Sequence, residues 1–307
     1  MSTRAAHQLA DRFTCDSTHQ GPASRPPLFQ AQRLRIPRDR DLLRWPTVCP
    51  FIGVFGSPLF AEVSMLTLYR KFALLFNIIR SSLWVSIRVL MHARRNPARA
   101  RLVPREIWSP YLIELAGAHL EVEGGDDVDF TKPHIFVMNH QSLLDIPAAI
   151  LAHPVGVCFI AKKELSYVPF FGQAMRSVGM IFVDRSNPER AIESLRAGGE
   201  LIRSGINVMA FPEGTRSKDG ELKRFKRGVF LLALQARVPI VPMAIEGAYK
   251  VLPTSSGKPT GGKIRVRIGQ PMETTGYAED DFEGLRAATR AAVETLFHKL
   301  RDEAASS

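Results

Sequence analysis

Residues 135–152 read IFVMNHQSLLDIPAAILA. Ile135–Met138 is a continuous apolar run with β-branched members, the pattern of a short buried strand. Asn139-His140-Gln141 interrupts it, and from about Ser142 the apolar residues fit a helix reaching Ala152. The segment therefore predicts a strand, a turn and a helix, with His140 at the strand's end. In one continuous helix His140 and Asp145 would stand about 140° apart and could not pair. Across a strand-to-helix turn, Asp145 can accept a hydrogen bond from one imidazole nitrogen. That fixes the tautomer and leaves the other nitrogen free as a base. A satisfied turn histidine beside a capping carboxylate is the plainer reading of this short span taken alone.

The same alternation extends outward. Strands are predicted at 119–123, 134–138, 157–161, 178–183, 206–211, 240–245 and 263–268, each short and bounded by Gly, Pro or Asn. Helices are predicted at about 142–152, 188–204, 224–236 and 280–302; Pro188 suits a first helical position, and Gly205 ends that helix. The alternation implies an α/β layered domain with a largely parallel or mixed sheet. Residues 254–262 (TSSGKPTGG) read as a surface loop, and no internal repeat is visible.

Pro97 and Pro104 mark the entry to this domain. Ahead of them, residues 66–91 are strongly apolar but interrupted by Arg70, Lys71, Arg80 and Arg88. No uninterrupted run reaches the ~18–20 residues of a transmembrane helix. On a helical wheel Arg70, Asn77, Ser81, Arg88 and Arg95 form one narrow stripe, and the remaining surface is apolar. This predicts a helix lying in a membrane interface with its basic edge toward lipid headgroups; the alternative is a core helix. Residues 1–45 are rich in Arg, Pro and polar residues and read as disordered. Acidic residues among them argue against a transit peptide, and Met65 reads as an alternative start.

The 307 residues include 41 Lys plus Arg against 30 Asp plus Glu, a net charge of +11 that favours anionic partners. The sequence lacks the interleaved aromatic and basic residues of a nucleic-acid stacking platform, so nucleic acid is not expected as a partner. Three cysteines without a Cys-x-x-Cys pair give neither a zinc ribbon nor a disulfide framework. His134, His140 and His153 lack the spacing of a zinc motif, so no metal is expected. Neither a Gly-x-Gly-x-x-Gly loop nor a Walker loop occurs, so no nucleotide cofactor site is indicated.

A second chemical string, Phe211-Pro212-Glu213-Gly214-Thr215-Arg216-Ser217, follows another predicted strand. Gly214 permits a tight turn. Turn amides and the Arg216 guanidinium can hold phosphate oxygens, and Glu213 can accept from a ligand hydroxyl. A solvated turn is the bland alternative. Lys162 and Lys163 end one apolar run and Asp184-Arg185 another, at strand ends where open α/β sheets place ligands. Ser142 sits where a helix-capping residue would, and Cys158 sits mid-strand, so neither is read as a nucleophile.

Four strings in this order, NHQSLLD (139–145), GMIFVDR (179–185), FPEGTRS (211–217) and VPIVPMAI (238–245), resemble the lysophosphatidic acid acyltransferases of the glycerolipid acyltransferase family. The similarity covers about residues 115–270. It implies a mixed sheet flanked by helices, with an amino-terminal amphipathic membrane helix or helix pair. It implies acyl transfer from acyl-CoA or acyl carrier protein to a lysophosphatidate hydroxyl, with no cofactor beyond the donor. His140 would be the base and Asp145 its orienter. Lys162, Arg185, Glu213, Gly214, Thr215 and Arg216 would bind the acceptor, and Pro242 would lie on the donor side. The expected organisation is a disordered or non-native extension over 1–64, a membrane-associating helical segment over 65–97 and an acyltransferase domain over 98–304. The expected location is the cytoplasmic face of a membrane, in contact with its phospholipids. Rival readings are a sister enzyme with another acceptor (glycerol 3-phosphate, another lysophospholipid or a lyso-aminolipid) and a non-catalytic membrane-binding protein.

Overall fold

The computed structural model describes residues 32–33, 59–184, 186, 188–254, 258–278 and 281–306. The expectations for 1–64 therefore fall largely outside the described residues, as does Arg185. Two pieces of that segment are described: a two-residue strand β1 (Gln32–Arg33) and the start of helix α1 (Leu59–Ala93).

The domain is entered through α2 (Pro97–Val103), a π-helical turn (Pro104–Trp108) and α3 (Ser109–Leu115). The sequence reading missed these helices. Proline normally breaks a helix, but here Pro97, Pro104 and Pro110 occupy first or second positions, where the missing N–H costs nothing. Asn96 caps α2, its side chain accepting from the Arg99 N–H at 3.0 Å.

The chain then alternates: β2 (Ala118–Gly124), β3 (Ile135–Met138), α4 (Asp145–Ala152), β4 (Cys158–Lys162), a 3-10 turn (Lys163–Tyr167), α5 (Phe171–Ser177), β5 (Ile181–Val183), α6 (Pro188–Arg203), β6 (Val208–Ala210), α7 (Gly228–Ala236), β7 (Ile240–Glu246), α8 (Ala248–Val251), β8 (Gly262–Ile268) and α9 (Phe282–Ala305). The strands form one mixed sheet in the order β1-β2-β8-β7-β3-β6-β4-β5. Strands β7, β3, β6, β4 and β5 run parallel, β8 runs antiparallel to β7, and β2 runs parallel to β8. This matches the mixed α/β sheet with flanking helices expected from the sequence.

The period of two in β3 assigns its residues to both sides of the sheet. Phe136 and Met138 enter a core shared with α3 and α4, while Ile135 and Val137 enter one shared with α6 and α7. All four are fully buried, as a strand covered on both faces requires. Because β3 is central and its neighbours β7 and β6 are parallel to it, its carboxyl end opens at the middle of one sheet edge. The ends of β4, β5 and β6 open along the same edge.

Helix α1 packs through Val85 and Val89 onto Ala100 and Val103 of α2, Ala174 of α5 and neighbouring Val178. Two of its polar residues bond to the domain: Asn77 Oδ1 accepts from Tyr111 Oη at 3.0 Å, and Trp108 Nε1 donates to Ser82 Oγ at 3.2 Å. Phe72, Leu75, Phe76, Ile79, Leu83, Ile87 and Met91 face outward. The span Phe72–Ala93 is long and apolar enough to cross a membrane, and only 17% of its apolar window is buried.

Candidate active site

Asn139 extends the strand pairing by one residue. Its side-chain Nδ2 donates to the Ile245 carbonyl at 3.0 Å and its Oδ1 accepts from the Ile245 N–H at 2.8 Å. The amide thus imitates a backbone partner and anchors the turn to β7. At His140, Nδ1 lies 2.7 Å from Asp145 Oδ2. The same oxygen accepts the Gln141 N–H at 2.5 Å and the Ser142 N–H at 2.8 Å. Asp145 is fully buried at the first turn of α4, where the helix N-terminus favours its charge. With Nδ1 facing this acceptor, Nε2 is the nitrogen directed elsewhere, as a general base needs.

The FPEGTRS segment is fastened to His140 at both backbone groups. Glu213 Oε1 accepts the His140 N–H at 3.2 Å, and the Ser217 N–H donates to the His140 carbonyl at 2.7 Å. Arg216 and Thr215 therefore lie in a turn whose two ends touch the histidine backbone. Burial pushes the Glu213 carboxyl up to about 7; the N–H groups of His140 and Lys223 pull it down, the Asp145 charge raises it and the Lys223 charge lowers it. The Phe211 ring lies flat on the imidazole, with centroids 4.2 Å apart and planes 17° apart.

Gly214 has φ +71°, a conformation that favours glycine, and its N–H closes the turn onto the Phe211 carbonyl at 3.0 Å. The space a Cβ would take is filled by the Lys226 side chain, whose Nζ would lie 2.8 Å from it. Lys226 is brought there by its N–H, which donates to the Pro212 carbonyl at 2.8 Å. Lys223 Nζ donates to the Arg216 carbonyl at 2.8 Å. Among the described residues, the Arg216 guanidinium itself forms no hydrogen bond or ion pair, which leaves it available to an anion.

The two lysines at the end of β4 have partners of their own. Lys162 is exposed at the end of β4 and pairs with Glu164 at 3.0 Å. Lys163 pairs with Asp184 at 3.4 Å and helps line a cavity of about 480 Å³ with Arg176 and Glu193. None of that cavity's lining residues is His140, Asp145, Glu213 or Arg216. Ser142 donates through Oγ to the Leu252 carbonyl at 2.9 Å and accepts the Leu144 N–H at 3.3 Å, so its hydroxyl braces the turn. Cys158 is buried, which pushes its thiol up to about 11 and keeps it protonated.

Sequence reasoning missed the stacking of Phe211, the backbone role of Ser217 and the approach of Lys226. Phe211 sat in a recognised string but carried no signal of its own. Lys226 was placed inside a predicted helix that in fact starts at Gly228.

A profile of the Acyltransferase family matches residues 119–246. The 1-acyl-sn-glycerol-3-phosphate acyltransferase alpha of Homo sapiens is 34% identical over 187 residues, covering 61% of this chain and 66% of that protein. The 1-acyl-sn-glycerol-3-phosphate acyltransferase of Saccharomyces cerevisiae is 37% identical over 169 residues, covering 54% of this chain and 55% of its own length. The chain thus spans just under two thirds of the human relative and about half of the yeast one. The crystal structure of the 1-acyl-sn-glycerophosphate (LPA) acyltransferase PlsC from Thermotoga maritima superposes with a TM-score of 0.66 at 28% identity, covering 78% of this chain and 97% of that one. With the histidine–aspartate turn and the FPEGTRS turn joined at one sheet edge, residues 119–246 match the Acyltransferase family, and the chain is similar in sequence and fold to 1-acyl-sn-glycerol-3-phosphate acyltransferases.

Proposed function

We propose that this protein moves a fatty acyl group from a thioester donor, acyl-CoA or acyl carrier protein, to the sn-2 hydroxyl of 1-acyl-glycerol 3-phosphate. The product is phosphatidate, for phospholipid synthesis. The observation that carries the reading is the 2.7 Å contact between His140 Nδ1 and a fully buried Asp145. An alcohol is a poor nucleophile at neutral pH until a base takes its proton during attack. Nε2 of His140 takes that proton as the hydroxyl oxygen bonds to the thioester carbonyl carbon. The tetrahedral intermediate then expels the thiolate, which leaves with the proton from the imidazolium as free thiol. General-base assistance of this kind is worth ~10²–10⁴ in rate. Phe211, stacked on the ring, favours the transient imidazolium through its π face.

The Arg216 guanidinium and the amides of the Gly214 turn hold the acceptor phosphate, with Thr215 beside them and Glu213 bracing the turn from below. The resemblance assigns Lys162, the last residue of β4, and Arg185 to the same phosphate. The outward apolar face of α1 holds the domain at the cytoplasmic face of a membrane, so that an insoluble acceptor enters from the lipid. Residues 98–304 form the catalytic domain and 65–97 the attachment segment.

The test is acylation of lysophosphatidate by purified protein, with free thiol and phosphatidate measured together over a series of donor chain lengths. One thiol per phosphatidate formed is expected, with transfer abolished in His140→Ala. Thiol release without phosphatidate, or unchanged turnover in the variant, would overturn the reading. Competition with glycerol 3-phosphate and other lysolipids assigns the acceptor.

A further inference from the structure

Seven large apolar residues outside α1 are exposed among the described residues: Leu143, Val155, Leu165, Tyr167, Val168, Phe170 and Leu201. Five of the seven sit at one place in the fold. Leu143 lies in the turn between His140 and Asp145. Leu165, Tyr167, Val168 and Phe170 follow β4 directly. Since β3, β4 and β6 are parallel, these residues occupy the edge where His140 and the FPEGTRS turn also emerge. Single exposed apolar residues are ordinary, but a cluster beside a reactive group marks a contact surface.

The backbone holds this cluster outward. Phe170 has φ 61° and ψ −48°, a conformation that a bulky side chain normally avoids, and it closes a tight turn through a 2.6 Å bond from the Phe171 N–H to the Pro169 carbonyl. Gly172 makes the turn possible: a Cβ there would meet the Ser166 carbonyl oxygen at 2.2 Å. Yet Phe170 remains 51% exposed, so packing within the protein does not account for its position.

Helix α1 reaches the same level. Strand β2 runs opposite to β3, so it begins at the catalytic edge, and α3 leads directly into it. Asn77 bonds to Tyr111 in α3 and Ser82 to Trp108 one turn earlier. At the other extreme, Arg101 of α2 donates to the Val178 carbonyl ahead of β5 at 2.9 Å. Helix α1 therefore descends from the catalytic edge, and its exposed Phe72, Phe76 and Ile79 stand level with the rim. Exposed Lys218, Arg224 and Lys226 ring the same edge, with no ion pair among the described residues.

We propose that this apolar rim is a second membrane contact: Tyr167, Val168 and Phe170, with Leu143 and Leu165, insert into the lipid leaflet that α1 also enters. The surrounding cations meet anionic headgroups. The catalytic edge then faces the bilayer directly, and a lysolipid reaches His140 without leaving it. This deepens the proposed function and rests on its membrane-facing acceptor.

The test uses the full chain on vesicles containing anionic phospholipid. In a Cys15→Ser/Cys49→Ser background, a nitroxide on Phe170→Cys should show greater relaxation by oxygen than by a water-soluble nickel chelate, as should one on Phe76→Cys. A buried Phe76 label with a Phe170 label in water would overturn the rim while leaving α1 as anchor. Both labels in water would overturn the membrane-facing acceptor as well. Independently, Tyr167→Asp/Phe170→Asp should lower turnover of bilayer-embedded acceptor at least tenfold and change turnover of a monomeric short-chain acceptor less than twofold. Equal loss on both, or loss on neither, would refute the proposal.

Discussion

Glu213→Gln tests the environment around the histidine quantitatively. The Glu213 side chain is buried beside His140 and near the charged Asp145, and burial pushes its carboxyl up to about 7 from 4.5. The folded protein therefore favours the protonated form. The contribution of this group is fully present below pH 4.5 and is lost as pH rises through 7. The interval between these values corresponds to about 3 kcal/mol. Glutamine keeps an oxygen to accept the His140 N–H but cannot ionise. Urea denaturation of both proteins in detergent should then show the variant gaining about 3 kcal/mol relative to wild type between pH 4.5 and pH 8. Titrations common to both proteins cancel in the difference. A stability difference that does not change with pH would refute the reasoning, because it would mean that Glu213 ionises in the fold as it does in water.

Other substitutions probe separate links. Asn139→Ala leaves the Ile245 N–H and carbonyl without their partners in a buried site, and should cost about 2–4 kcal/mol in chemical denaturation; a loss below 1 kcal/mol would mean that the turn is anchored elsewhere. Phe211→Leu keeps an apolar contact but removes the ring from the imidazole face. A cation–π contribution of about 1 kcal/mol corresponds to about a fivefold lower kcat with KM unchanged in steady-state transfer assays, and a change confined to KM would contradict it. Gly247→Ala brings a Cβ to 2.2 Å from the Lys263 carbonyl at φ +86°. It should lower the melting temperature by many degrees, whereas Gly205→Ala, with open space around it, should suffer only its backbone strain.

The sequence made the centre of this fold readable because its signals are local. Ile135–Met138 is apolar throughout since β3 is covered on both faces, and the polar break at Asn139 marks where the sheet ends. The His140–Asp145 pair needs only that strand-to-turn transition, so it too was legible. What stayed hidden depends on distant partners. Residues 224–227 read as helix from composition, but the bond from Lys226 to Pro212 holds that stretch against the FPEGTRS turn, and α7 begins only at Gly228. Helices α2 and α3 were obscured by prolines that start helices. Helix α5, seven residues long and starting directly behind Pro169-Phe170, was not anticipated. The polar stripe on α1 was expected to face headgroups. Arg88 and Arg95 of that stripe are exposed, but Asn77 bonds to Tyr111, a partner that periodicity alone cannot name.

The most direct test of the central claim, that a carboxylate-fixed imidazole takes the acceptor's proton, is the turnover of Asp145→Asn with lysophosphatidate and an acyl thioester. Asparagine can place a neutral oxygen where Oδ2 stands and still accept the Gln141 and Ser142 N–H groups, so the turn survives while the negative charge that stabilises the imidazolium is lost. The account predicts a fall in kcat of ~10²–10⁴, with KM for the acceptor within about twofold. Turnover within a factor of three of wild type would contradict it.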